Sequence, residues 1–290
     1  MDGVEASRNF QSAKKRGFRV SRNIVRKLLK KHGYVKRKMV KSKPTGEFKE
    51  RDRQFRKIAR LKAKYERAGN PVISVDTKKK EKLGNLYRDG QIYSLEAETV
   101  YDHDYPHLAE GNLIPHGIYD VQRNDAMVNI GTSADTAEFA CDSIELWWKQ
   151  VGCNRYIGAT SLLILLDCGG SNSCHHHIFK EALQALANKI GIEIRAAHYP
   201  PYTSKWNPIE HRLFPHVSRS MAGVVLTSHE LVKELIGNTH TESGLNVKTN
   251  IIYKAYEKGR KARADLYDQG TIVFDKILRK LNYKIMPVSE

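Results

Sequence analysis

Two short apolar runs, each ending in an aspartate, constrain the fold of this chain most strongly. Residues 72–75 read Val-Ile-Ser-Val before Asp76, and residues 161–166 read Ser-Leu-Leu-Ile-Leu-Leu before Asp167. Runs this short and apolar are typical of strands that are covered on both faces. In α/β sheets the functional groups usually lie at the carboxyl ends of such strands. Aspartate also favours strand ends for turn chemistry, so neither acid is diagnostic alone.

The segments around these runs alternate between strand and helix patterns. Further strands are predicted at residues 91–95, 114–121, 127–132 and 193–198. Amphipathic periodicity and capping residues predict helices at residues 50–68, 136–151, 178–190, 207–221 and 229–237. This order predicts an α/β layer architecture, a mixed sheet with flanking helices.

The charge is concentrated at one end of the chain. Residues 1–70 contain 24 Lys and Arg against 6 Asp and Glu, whereas residues 71–290 contain 25 against 26. A concentrated basic segment attracts polyanions, of which nucleic acid is the commonest. A solvated basic tail or a patch for anionic lipid would have the same charge. The remainder of the chain is electrostatically ordinary.

A short basic helix is predicted inside this segment. Ser21 is a suitable N-cap and Gly33 a suitable C′ residue, and the apolar positions between them form one stripe. Such a helix resembles the recognition helix of a helix-turn-helix, although an ordinary surface helix has the same pattern. The candidate DNA-binding residues here are Arg22, Arg26, Lys27, Lys30 and Lys31.

The main predicted domain boundary lies at Pro71, where the strongly basic sequence changes to short apolar runs that alternate with helical patterns. We divide the chain into a basic segment with the partial helix-turn-helix candidate, a basic linker helix, an α/β domain and a C-terminal extension, at residues 1–45, 46–70, 71–245 and 246–290. The sequence contains no apolar run long enough to cross a membrane, no secretory leader and only four cysteines. We therefore expect a cytoplasmic, nucleoid-associated protein.

Glu210 is the candidate for a third carboxylate. It follows Asn207 and Pro208, which fit the N-cap and first position of a helix, so that a capping box would fully explain it. The preceding loop carries aromatic and basic residues that a plain cap does not need, and these are predicted to contact DNA: Tyr202, Lys205 and Trp206. Trp206 could instead pack as a hydrophobic staple on the new helix.

The three acids could converge around divalent metal. Carboxylates, waters and substrate phosphates are the ligands that Mg²⁺ prefers, and paired ions activate the attacking and leaving oxygens in phosphodiester chemistry. We expect two Mg²⁺ ions, with Mn²⁺ as a substitute, and place Asn172, Asn207 and His211 beside them. Cys168, Cys174 and the histidines at 175–177 would be a weaker zinc alternative, because the usual spacing of a second ligand pair is missing.

Several ordered motifs resemble the bacterial insertion-sequence DDE transposases of the ISAzo type, within the mariner-like, ribonuclease-H-fold group. The motifs are SVDTKKKE (74–81), IPHGIYD (114–120), DTAEF (135–139) with the Trp pair at 147–148, DCGGSN (167–172) and YPPYTSKWNPIEHRLF (199–214). The resemblance covers residues 15–245, with a weaker match near 281–283. Members normally have more DNA-binding sequence upstream, so we expect an N-terminally shortened copy.

The resemblance implies that Asp76, Asp167 and Glu210 form the catalytic Asp-Asp-Glu triad of a ribonuclease-H-like domain. It also implies a helix-turn-helix or winged-helix segment at residues 1–45, and Mg²⁺-dependent DNA cleavage and strand transfer on inverted-repeat ends and target DNA, by a homodimer. Two alternatives remain open at this point: a truncated remnant that only binds DNA, and a ribonuclease-H-like nuclease that does not join strands.

Overall fold

The computed structural model describes residues 13–35, 50–102, 105–169, 174–268 and 270–288. The chain divides into two compact units, residues 1–45 and residues 46–290, which are described separately below.

The described part of the first unit contains one complete helix, α1 (Arg22–Lys31). The hydroxyl of Ser21 accepts a hydrogen bond from the amide of Ile24, and Gly33 follows the helix with φ +76°. These contacts confirm the predicted helix and its caps. The helix-turn-helix assignment stays a prediction.

Nine strands of the second unit form one mixed sheet in the described residues. They are β1 (Val72–Thr77), β2 (Glu81–Leu83), β3 (Gly111–Asp120), β4 (Asp125–Gly131), β5 (Ser161–Leu166), β6 (Glu193–His198), β7 (Asn246–Ile252), β8 (Ile272–Phe274) and β9 (Asn282–Ile285). The order across the sheet is β7-β4-β3-β1-β5-β6-β9-β8, and β2 pairs with β3. Strands β1, β5 and β6 are parallel, whereas β3 runs antiparallel to both β1 and β4. The expected mixed α/β sheet is thus confirmed.

Helices cover both faces of this sheet. They are α2 (Arg51–Arg67), α3 (Ala137–Trp147), α4 (His177–Ile190), α5 (Pro208–Arg212), α6 (Phe214–Ser220) and α7 (His229–Gly237). Helices α3 and α4 bury their apolar stripes on one face, in a cluster with alternate residues of β1 and β5. Helices α5, α6 and α7 pack on the other face, where α2 forms a separate cluster with β5. Because both faces are covered, the central strands can be apolar throughout, as their sequences predicted.

Two predicted elements differ in the structure. Residues 91–95 are irregular and not a strand, and the side chains of Tyr93 and Leu95 are fully exposed. The helix predicted at 207–221 is broken at Leu213 into α5 and α6, because Pro215 lacks the amide hydrogen that a continuous helix would require.

Residues on both sides of the predicted catalytic domain take part in the same unit. Helix α2, within the segment predicted as a linker, packs Ile58 and Tyr65 on the sheet. Residues 246–288 supply β7, which pairs with β4, and β8 and β9, which extend the sheet beyond β6. Their sequences lack the long apolar runs that identified the central strands.

No helix within the described ranges is both long and apolar enough to cross a membrane.

Candidate active site

Asp76 and Asp167 lie next to each other at the carboxyl ends of two central strands of the sheet. Strands β1 and β5 are parallel neighbours in which Ser74 pairs with Leu165. Two residues further along this register, β1 reaches Asp76 and β5 has just ended before Asp167. The sequence pattern of two apolar runs ending in acids therefore becomes a pair of adjacent carboxylates at the carboxyl ends of parallel strands.

The electrostatic environment of Asp76 shows that the acids interact. Burial, the neighbouring Asp167 charge and a side-chain interaction with Glu210 raise the pKa of Asp76 to about 8, against the hydrogen bond that it accepts from Thr77. Burial also raises the pKa of Asp167. Like charges at a shared site each disfavour ionisation of the other. The fold thus brings three acids together at a cost that a bound cation would relieve.

Backbone amides orient two of these carboxyl groups. The amide of Thr77 donates to Asp76 Oδ1 at 2.8 Å, and the amide of Gly169 donates to Asp167 Oδ1 at 3.1 Å. The Thr77 hydroxyl in turn donates to Asp135 Oδ1 at 3.2 Å. Each strand-end acid is therefore held by the turn that follows it.

A contact between β1 and α5 places Glu210. The hydroxyl of Ser74 donates to Asn207 Oδ1 at 2.5 Å and accepts from the amide of Ile209 at 3.0 Å. Asn207 Nδ2 also approaches the carbonyl oxygen of Val75, at 3.4 Å. The start of α5 is thereby fixed against the strand that carries Asp76.

These bonds correct the capping-box explanation of Glu210. The side chain of Asn207 bonds to Ser74 rather than capping its own helix, and Ser74 supplies the cap in its place. The carboxyl group of Glu210 interacts with Asp76. Sequence reasoning assigned no role to Ser74, although it is the one polar residue of the run at 72–75.

Gly117 makes room for this helix. It pairs with Asp76 across β1 and β3, and a Cβ atom there would lie 2.8 Å from both Ile209 Cδ1 and Phe214 Cε1. Helix α5 can lie this close to the sheet only because the strand has no side chain at that position. The motif that contains Gly117 was noted in the sequence, but its steric role was not.

The candidate donors are three carboxylates without a thiolate, the type of ligand that hard divalent cations prefer. Among the described residues, however, no group of three or more His, Cys, Asp or Glu side chains lies close enough together to hold a metal ion, and this includes Asp76, Asp167 and Glu210. The Sγ atoms of Cys168 and Cys174 lie 2.8 Å apart. Asn172 lies outside the described residues.

The loop before Glu210 presents its large side chains to solvent. Tyr202 is exposed and has the left-handed φ of +64°, which is unusual for a residue other than glycine. Trp206 is 52% exposed, contacts the edge of Phe55 and lies beneath Lys205, whose Nζ is 5.7 Å from the ring centroid. Trp206 is therefore not a core residue of the kind that a hydrophobic staple requires.

His211 supports this loop, because its ring bonds to the carbonyl oxygen of Lys205. In the first unit, all five basic residues predicted to contact DNA are exposed on α1: Arg22, Arg26, Lys27, Lys30 and Lys31. Their role stays a prediction.

Comparison with known proteins adds a family to this geometry. The chain is similar to the Mos1 transposase paired-end complex with left transposon end, at 14% identity and a TM-score of 0.45, over 80% of this chain and 69% of that chain. It is also similar to the Mos1 mariner paired-end complex with Mn, at 14% identity and a TM-score of 0.46, over 77% of this chain and 64% of that chain. Similarity at this level carries no argument about activity.

A comparison with curated proteins yields no match. The family described as the Rhodopirellula transposase DDE domain matches residues 6–287. Because this match spans nearly the whole sequence, the chain belongs to that family of transposase DDE domains.

Proposed function

We propose that this protein is a transposase that cleaves DNA at the ends of an insertion sequence and joins them to target DNA, using Mg²⁺ held by Asp76, Asp167 and Glu210. The observation that carries the proposal is the pairing of β1 with β5, which sets Asp76 beside Asp167, while Glu210 interacts with Asp76. A site of this kind in a transposase DDE domain supports an Asp-Asp-Glu triad.

The topology of the sheet supports the ribonuclease-H-like assignment. Strands β3 and β4, which continue an antiparallel series from β1, lie on one side of β1. Strands β5 and β6, which are parallel to β1, lie on the other side. This arrangement places the ends of β1 and β5 side by side, where the two aspartates lie.

Neighbouring groups of the chain would hold the three carboxylates in place as oxygen ligands. The amides of Thr77 and Gly169 fix the orientation of the Asp76 and Asp167 carboxylates, and the Ser74–Asn207 contact fixes the helix that carries Glu210. When bound, two Mg²⁺ ions would activate the attacking oxygen and stabilise the leaving oxygen of a phosphodiester.

The charge distribution supports DNA as the partner. The exposed basic face of α1 would neutralise phosphates and read the inverted-repeat ends. The protein would bind these ends as a homodimer. Lys205 would contact a phosphate near the cut, and the exposed rings of Tyr202 and Trp206 would stack on bases.

The experiment is a cleavage and joining assay on duplex DNA that carries the element's own terminal repeats, with a target plasmid and either Mg²⁺ or EDTA. We expect Mg²⁺-dependent nicking at the repeat end and joined products. Asp167→Asn and Glu210→Gln should each lower the rate by roughly a hundredfold or more, since each removes a charged metal ligand.

Asp120→Asn provides the matched control. Asp120 is also a buried acid at the end of a strand, but it lies beside the start of β1, away from Asp76. The substitution should lower stability but not the rate for each folded molecule. Cleavage without joining would replace the proposal with a nuclease, and DNA binding without cleavage would indicate an idle remnant.

A further inference from the structure

Both ring nitrogens of His198 have partners at the active-site end of β6. Its side chain is fully buried. Nδ1 lies 2.9 Å from the backbone carbonyl oxygen of Asp167, and Nε2 lies 3.1 Å from the hydroxyl oxygen of Tyr283. The imidazole therefore joins the strand that ends in Asp167 to strand β9 of the C-terminal region.

The chemistry of these partners fixes the direction of both hydrogen bonds. A carbonyl oxygen can only accept, so Nδ1 of His198 must carry the hydrogen that it donates to Asp167. Nε2 is then an acceptor, and the Tyr283 hydroxyl donates to it. Loss of the Tyr283 hydroxyl would thus remove the hydrogen bond that holds the His198 ring with its hydrogen on Nδ1, the atom that donates to Asp167.

The position of the Asp167 carbonyl explains why it needs this support. The last ladder pair of β5 and β6 joins Leu166 to His198, so the backbone of Asp167 has already left the sheet. Its side chain is held by the amide of Gly169, and its carbonyl is held by the His198 ring. These two bonds together fix the residue on both sides of its Cα atom.

His198 is itself held rigidly. Gln54 donates to the His198 carbonyl oxygen at 2.8 Å and forms a reciprocal pair of amide hydrogen bonds with Asn282. Tyr283 follows Asn282 in β9 and is fully buried. Helix α2 and the C-terminal strand therefore converge on the residue that supports Asp167.

We propose that His198 and Tyr283 are positioning residues that hold Asp167 for binding of the divalent metal. The proposal rests on the proposed function, because it assigns to Asp167 a metal to hold. It makes strand β9, near the C-terminus of the chain, part of the support of the active site.

The test compares Tyr283→Phe with Tyr65→Phe in the full-length protein. Tyr65 is also buried, and its hydroxyl lies 2.6 Å from Ser161 Oγ, at the start of the same strand β5 whose end carries Asp167. Each variant loses a buried hydroxyl: that of Tyr65 also approaches Glu193 Oε1, at 3.5 Å, and that of Tyr283 bonds to His198. Both should therefore lower the melting temperature in EDTA. The variants differ in that only Tyr283 is connected to Asp167, through His198.

We expect Tyr283→Phe alone to raise the Mg²⁺ concentration for half-maximal thermal stabilisation, by roughly tenfold, because it loosens a partner of a metal ligand. The same shift should appear in the Mg²⁺ dependence of DNA cleavage, while the rate at saturating Mg²⁺ stays near that of the wild type. Tyr65→Phe should leave both midpoints unchanged.

Equal midpoints for the two variants, in a wild type that responds to Mg²⁺, would overturn the positioning role and leave the proposed function intact. A wild type that shows neither Mg²⁺ stabilisation nor cleavage would instead overturn the proposed function. Nitrogen-15 NMR of the imidazole, assigned with His198→Gln, adds a readout without metal. We expect hydrogen on Nδ1, and hydrogen on Nε2 would overturn the inference.

Discussion

Asp76 and Asp120 lie at the ends of the neighbouring antiparallel strands β1 and β3, so they are at opposite ends of the strands in the same sheet. Asp120 is buried, and its carboxylate accepts hydrogen bonds from two backbone amides and from the Tyr156 hydroxyl, whose oxygen lies 2.7 and 2.9 Å from the two carboxylate oxygens. Asp76 accepts one amide hydrogen bond and otherwise faces Asp167 and Glu210. The same residue type at the same kind of position therefore has two different surroundings.

Burial raises the pKa of both acids, but their neighbours act in opposite directions. Around Asp120, hydrogen bonds from the Tyr156 hydroxyl and two amides favour the charged form, and removal of the carboxylate would leave them unpaired. Around Asp76, the acids Asp167 and Glu210 add to the effect of burial. An acid that is crowded by other acids is more typical of a functional site than one satisfied by the chain, because a ligand can supply the missing charge.

The largest effect on stability should come from breaking the satisfied site. Asp120→Ala leaves the Tyr156 hydroxyl and two amides without their acceptor, so we expect a loss of about 3–5 kcal/mol in the free energy of unfolding, measured in urea. Asp125→Ala is the control, because Asp125 pairs with Asp120 across the strands but makes only a partly exposed ion pair with Arg155. It should cost about 1 kcal/mol or less. Equal losses would contradict the structural role of Asp120.

The second effect concerns the space that lets α5 approach Asp76. Gly117→Ala would place a methyl group against Ile209 and Phe214, so we expect a loss of about 1–3 kcal/mol from overpacking. DNA cleavage should fall further than this loss explains, because Glu210 moves with the helix. Gly111→Ala on the same strand meets only Leu83, at 3.4 Å, and should change neither quantity. Similar behaviour of both variants would refute the steric role.

Within any one pH unit, a smaller effect is the pH dependence that Asp76 contributes in EDTA. Its pKa is raised from 3.8 to about 8 in the folded protein, so the folded state keeps a proton that the unfolded state has lost. Stability should therefore decrease as pH rises from about 4 to about 8 and then level off, with roughly 1 kcal/mol lost between pH 6.5 and 7.5. Asp76→Asn should remove this part of the slope in urea titrations. An unchanged slope would show that Asp76 is not perturbed.

The smallest change in stability is expected in the loop before Glu210. Trp206→Ala should cost less than about 1 kcal/mol, because the ring is half exposed. DNA cleavage or joining should nevertheless drop by roughly tenfold or more if the ring stacks on a base. Tyr93→Ala removes an aromatic ring that is fully exposed and should leave activity unchanged. A Trp206 variant that is simply unstable would make the loop structural.

Much of the central sheet could be predicted because its signals are local. A run of five apolar residues at 162–166, followed by Asp167, specifies a buried strand and the acid at its end without reference to the rest of the chain. The caps of α1 were equally local. Local signals also misled, since the apolar residues near Tyr93 form no strand, and the proline at 215 breaks a helix that the periodicity continued.

The rest depends on contacts between residues far apart in sequence. The hydroxyl of Ser74 caps a helix that begins 134 residues later, at Pro208. Tyr283 reaches His198 across 85 residues, from a four-residue strand with no distinctive pattern. Asn207 looked like a helix cap because that is its commonest local use, and tertiary structure assigned its side chain to β1 instead.

The most direct test of the account compares the thermal stability of the wild type and Asp76→Asn near pH 8, in EDTA and in saturating Mg²⁺. Removing one of three crowded acids should make the variant more stable than the wild type in EDTA. Mg²⁺ should stabilise the wild type strongly and the variant weakly, so that the order of stability reverses. A variant that is less stable than the wild type in both conditions, with no difference in the response to Mg²⁺, would contradict a shared metal site at these acids.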